Sequence, residues 1–99
     1  MVLDDPASVK AALALMPPRA REATKILAFR LDEHREWLGD QTELRRQAVL
    51  ACVGAMAISG FSPEHHPNEC RIFAEEHAAN VLTVASAIVT VSEIGRAHV

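Results

Sequence analysis

Val49-Leu50-Ala51-Cys52-Val53-Gly54-Ala55-Met56-Ala57-Ile58 is the stretch whose reading decides the fold. No charge interrupts it, and it lacks the alternation of a half-exposed strand. A helix that is apolar on every face must be covered on every face. The segment is therefore expected to be the central helix, with the remaining elements laid against it.

The helix assignment rests on the ends of the run. Gly39 is placed to stop a preceding helix in the left-handed conformation. Asp40 and Glu43 have the spacing of a reciprocal capping box. Leu44, Ala48, Ala51, Ala55 and Ile58 then share one face. Gly60 followed by Phe61 is a stop signal, which gives a helix over about Gln41 to Ser59. Gly54, set among Ala51, Ala55 and Ala57, predicts a small-residue surface for close approach of a neighbour, or a ligand slot beside it.

Three further segments carry helix punctuation. Asp4-Asp5-Pro6 opens a short helix ending at Met16, with Val9, Ala12, Leu13 and Met16 inward. Pro17-Pro18 ends it, and Pro18 starts a second helix to Leu38. Ala20, Ala23, Leu27, Leu31, His34 and Leu38 form its inward stripe, while Ile26, Phe29 and Trp37 form a second buried edge or a partner surface. Pro67 opens the last helix, to Val91. Its second half, Ala78 to Val91, is an uncharged run of about 14 residues rich in β-branched side chains. No turn signal divides it from the first half, which favours helix over strand. Asn80, Thr83, Ala87 and Thr90 share a face able to hydrogen-bond across an interface. The uncharged run alone is too short for a bilayer.

The expected architecture is all-α: a small up-and-down bundle of one short and three longer helices around an apolar central one. Residues 1–92 form one helical domain. Glu93-Ile94-Gly95-Arg96-Ala97-His98-Val99 resembles the translation of a common sequencing-adapter read-through. On that reading the segment is not native, the domain is truncated there, the source is a metagenomic read, and His98 is no ligand candidate.

The chain has 99 residues and is 49% apolar but only 4% aromatic, so its core is thin in large side chains. Association of identical chains would relieve that. The net charge is −3. Residues 1–47 balance eight acids with eight bases, and Arg71 is the only base from 48 to 92. No basic stripe follows a phosphate backbone, so nucleic acid is not an expected partner. Cys52 and Cys70 make no disulfide framework, and the acidic start is not an export signal. A cytoplasmic location fits both.

Candidate chemistry gathers in Glu64, His65, His66, Glu69, Cys70, Glu75, Glu76 and His77. These are the side-chain types that zinc accepts. If Pro67 opens a helix, Cys70 and His77 share a face and His66 lies at its mouth, which makes His66, Cys70 and His77 the candidate zinc ligands. The pattern contains neither Cys-x-x-Cys nor His-Glu-x-x-His, and it equally fits a solvated loop and helix face. Elsewhere, Glu33-x-x-Glu36 resembles half of the Mg²⁺ site of the all-α nucleoside triphosphate pyrophosphohydrolases. The resemblance implies Mg²⁺ held by Glu33 and Glu36. It lacks the family's second acidic pair, because Glu75 and Glu76 are followed three residues on by Ala78 and Ala79. Four scattered glycines form no phosphate loop.

The resulting expectation is a self-associating or partner-binding helical module of bacterial or phage type, without a resident cofactor. The alternatives are a Mg²⁺-dependent nucleotide pyrophosphohydrolase-like enzyme and a zinc-binding helical domain.

Overall fold

The computed structural model describes the backbone of residues 3–97 and the side chains of residues 3–91. The described residues form α1 (Pro6–Leu15), α2 (Pro18–Glu33), a 3-10 turn (Arg35–Gly39), α3 (Gln41–Ile58) and α4 (Pro67–Ala97), with no strand among them. They pack as a small helical bundle. α2, α3 and α4 pack on one another, and α1 lies chiefly on α4.

The helix ends are set by local chemistry. The Asp5 carboxylate accepts from the Ser8 amide at 2.7 Å, and Pro6 takes the first helical position, where its missing N–H costs nothing. Pro17-Pro18 separates α1 from α2, as expected. Arg21 adds what single-residue punctuation does not reveal. Its Nε donates to the Leu13 carbonyl at 3.2 Å and its Nη2 to that of Met16 at 3.1 Å. One guanidinium thus satisfies carbonyls left open where α1 stops.

α2 is shorter than its stripe predicts. Ala20, Ala23, Leu27 and Leu31 are fully buried, but His34 and Leu38 do not extend the helix. His34 leaves helical geometry at φ −129°, ψ 65°, and the chain tightens into the 3-10 turn. The His34 ring is exposed and stacks on Trp37, with centroids 4.2 Å apart and planes 14° from parallel. This turn sets Trp37 and Leu38 side by side against the core, at the expense of the inward position expected for His34. Ile26 and Trp37 form the half-buried edge, whereas Phe29 is 69% exposed.

Gly39 is not left-handed. Among the described residues only Gly60 has a positive φ, 97°. At the start of α3 the Asp40 carboxylate accepts from the Glu43 amide at 3.1 Å, but the reciprocal half of the capping box is missing. The Glu43 carboxylate turns instead to Arg46 at 3.0 Å and to Gln47 at 3.3 Å, donors one turn further along. The end of α3 follows its sequence signal. The Gly60 amide donates to the Ala57 carbonyl at 3.0 Å and that of Phe61 to Met56 at 2.9 Å, the paired bonds of a Schellman stop.

Leu27, Leu31, Leu44, Cys52, Val81 and Val84 provide the bulk of the core, with alanines between them allowing close helix approach. Two polar residues, Thr24 and Gln47, are buried among the described residues, and both are bonded. Thr24 donates to the carbonyl of Ala20 at 2.8 Å, and Gln47 accepts from Arg30 at 3.1 Å, tying α3 to α2.

Three expectations about α3 and α4 change. First, α3 is not covered on all sides: Val49 and Leu50 are 42% and 44% exposed. The bundle is only one layer of helices deep on that flank. Second, Gly54 is not needed for close packing. A β-carbon there would meet Ile26 Cδ1 at 3.9 Å, an ordinary contact. Third, Thr83 and Thr90 turn their hydroxyls back to the carbonyls of Ala79 at 3.0 Å and Ser86 at 2.8 Å, so their protons serve their own helix.

The run Ala78 to Val91 is helical, continuous with the first half of α4. That continuity alters the membrane arithmetic. Pro67–Val91 is the one helix among the described residues long and apolar enough to cross a bilayer, by length and composition alone. Ile72 and Phe73, on the same helix but beyond Glu75 and Glu76, add apolar length to it. Its inward face packs on α2 and α3. The backbone remains helical across the expected boundary at Ser92 to Ala97, while side chains from Ser92 onward and residues 98 and 99 lie outside the described residues.

Candidate functional site

The polar cluster at the start of α4 is spread over separate partners. Cys70 is buried and its thiol donates to the Phe61 carbonyl at 3.2 Å, bracing the turn between α3 and α4. The His66 ring meets Phe61 edge-on at 5.1 Å, and its Nδ1 lies 3.8 Å from Glu69. His77 packs on Phe73 at 4.6 Å, with its Nε2 3.8 Å from Glu76. Among the described residues no three His, Cys, Asp or Glu side chains gather closely enough to hold a metal ion.

Glu33 and Glu36 are divided by the break at His34. Glu33 closes α2 and Glu36 belongs to the 3-10 turn. Glu36 is exposed and faces His34 Nδ1 at 3.3 Å. The shared helix face implied by their spacing is therefore absent.

Cys52 lies wholly within the core, and burial pushes its thiol up to about 11. A thiol that stays protonated at neutral pH serves packing and not nucleophilic chemistry.

An open groove of about 790 Å³ lies between α3 and α4. Ala48, Val49 and Val53 line one wall, and Ala74, Ala78 and Leu82 the other. Small side chains on both walls leave the depression, and the half-exposed Val49 gives it an apolar rim. Polar groups stand at its ends. Because α3 and α4 are joined by a short turn, they run antiparallel. Arg45 is thus level with Leu82 and Thr83, and Val53 with Arg71 and Glu75. Arg71 donates to Glu75 at 3.2 Å, one helical turn along α4. Exposed apolar side chains continue the groove onto the flank. Leu50 neighbours Val53, and Ile72, 53% exposed, lies seven residues from Ala79 on the same side of α4.

None of the groove residues stands out in sequence as a site. The available signal is indirect: two long uncharged runs, in α3 and α4, exceed what a bundle this small can cover.

Comparison with protein-family models, with curated proteins and with solved structures finds no significant match.

Proposed function

We propose that this chain is a helical assembly module whose α3–α4 groove seats another helix. The observation carrying this reading is the groove itself: apolar, lined by alanines that admit a helix backbone, and continuous with the exposed Val49, Leu50 and Ile72. A helix laid along such a surface buries its own apolar stripe and covers that of the host. The aromatic-poor core favours the same outcome, since association adds burial that a single small chain lacks. The polar side chains around the groove, Arg45, Arg71, Glu75 and Thr83, form an ionic and hydroxyl rim and not a catalytic set.

The test is the mass of the purified chain in solution across the micromolar range, by sedimentation and by small-angle scattering. A concentration-dependent species larger than one chain is expected. A single-chain species throughout overturns self-association.

A further inference from the structure

We infer that the helix seated in the groove is α2 of a second copy of this chain, laid antiparallel to α3. Its Phe29 fills the alanine-lined depression, and its Glu33 and Lys25 pair with Arg45 and Glu75. This rests on the assembly reading above and names the occupant.

Phe29 is 69% exposed, the only Phe or Trp left largely in water among the described residues. It stands on α2 opposite the buried Ala20, Thr24, Leu27 and Leu31. Lys25 and Glu33 lie one turn before and one turn after it on the same outer face. Both are exposed, and neither makes an ion pair among the described residues. The same holds for Arg45 at one end of the groove. At the other end, the exposed Glu75 is held by Arg71 at 3.2 and 3.4 Å within one helix.

The spacings match along the axis. Arg45, Val49 and Val53 stand at i, i+4 and i+8 on α3, and Lys25, Phe29 and Glu33 have the same spacing on α2. Each set spans about 12 Å at 1.5 Å per residue. With Glu33 of the second copy level with Arg45, its Phe29 is level with Val49 and Ala78, and its Lys25 with Glu75. The ring supplies the bulk that Ala48, Ala74 and Ala78 leave out of the groove walls. An aromatic anchor among small side chains, ringed by charge, is the usual core of a binding surface.

The sides match as well. Seen down α3 from its N-terminus, Val49 and Val53 lie clockwise of the buried Ala48 and Ala55. With the groove uppermost, α3 is therefore on the right and α4 on the left. A helix laid in it and running toward the viewer turns Glu33 to the right of Phe29 and Lys25 to the left, by about 40° each. Glu33 falls on the side of Arg45 and Lys25 on that of Glu75. The opposite direction would set Glu33 beside Glu75 and Lys25 beside Arg45, so charge selects one orientation. A carboxylate can accept from more than one cation, so Arg71 need not be displaced.

α2 covers the side of the α3–α4 pair away from the groove. Each copy thus offers a ridge on one side and a groove on the other. The joint is heterologous, and copies add head to tail.

Sedimentation velocity on the full chain tests this, with helix content checked by circular dichroism. Wild type should form species of two and more chains as concentration rises. Phe29→Asp removes the ridge and Val49→Arg obstructs the groove, and each alone should weaken association at least about tenfold. Mixed in equal amounts, the two variants should form a species of two chains, one intact α2 in one intact groove, and grow no further. Glu33→Arg should weaken association about fivefold, and adding Arg45→Glu to the same chain should return it to within about twofold of wild type. If Phe29→Asp or Val49→Arg loses helix, this charge exchange decides alone. A mixture no larger than its components, or no rescue by Arg45→Glu, overturns this seating and leaves the assembly reading standing. A wild-type monomer at every concentration overturns both.

Discussion

Replacing Gly54 with alanine should stabilise the protein. In the middle of a helix, glycine costs roughly 1 kcal/mol relative to alanine, through backbone entropy that folding must remove. Whether that gain is realised depends on what the new methyl meets. In α3 its nearest neighbour beyond the helix's own backbone is Ile26 Cδ1 at 3.9 Å, an attractive distance. Each carbon pair at that range contributes about 0.1–0.2 kcal/mol, and Ile26 is half-buried and able to adjust. The expected sum is about 1 kcal/mol of stabilisation. For a domain of this size that is about 4–8 °C in midpoint. Thermal and urea unfolding should be compared with wild type at one fixed protein concentration, because association would shift both curves. A lowered midpoint would refute the reasoning, since it would mean that α2 approaches α3 too closely to admit a methyl group.

Three other outcomes follow from the same geometry. Gly60→Ala should cost about 1–2 kcal/mol, because an L side chain is strained at φ 97°, whereas Gly39→Ala should stay within about 0.5 kcal/mol of wild type. Urea midpoints of the pair test this, and equal losses would contradict it. Ser86→Ala should raise stability by about 1 kcal/mol, since the Ser86 hydroxyl is buried without a hydrogen-bond partner among the described residues; a clear loss on urea unfolding would reveal a partner. Cys52, held neutral by burial up to about 11 against an ordinary 9.0, loses its proton first in the unfolded chain. Its contribution is therefore intact below pH 9.0 and declines as pH climbs toward 11, by up to about 1.4 kcal/mol per unit. The difference between wild type and Cys52→Ala should narrow over that window; a constant difference would show that the thiol ionises in the folded state.

The helices were legible because their ends are written in local chemistry. Asp5-Pro6, Pro17-Pro18, Asp40, Gly60-Phe61 and Pro67 act within a turn of themselves, and each appears in the fold at its expected place. The α2 stripe was equally legible through Leu31, because periodicity records a buried face directly. It misled at His34, where the spacing continues but the backbone turns aside so that Trp37 can stack. Nothing in an i, i+4 pattern distinguishes these paths. The polar cluster misled for a related reason. Side chains near in sequence compete for near partners, and Cys70 goes to the Phe61 carbonyl instead of joining His66 and His77. The groove was not legible residue by residue. It is the space between two helices, and Val49 or Leu82 looks like an ordinary core position until its neighbour is placed.

α4 is the element on which α1, α2 and α3 all pack, yet it follows all three in the chain. Val81, Val84, Ala85 and Val89 of α4 close the core. A ribosome that has exposed this chain only as far as residue 66 therefore displays Leu27, Leu31 and Leu44 with one side of their core still open. Folding should wait for translation to pass α4, and nascent chains arrested at residue 66 should be cut readily by protease while those carrying α4 resist. Until then the emerging polypeptide is a client for chaperones, and its rate of synthesis sets how long that exposure lasts.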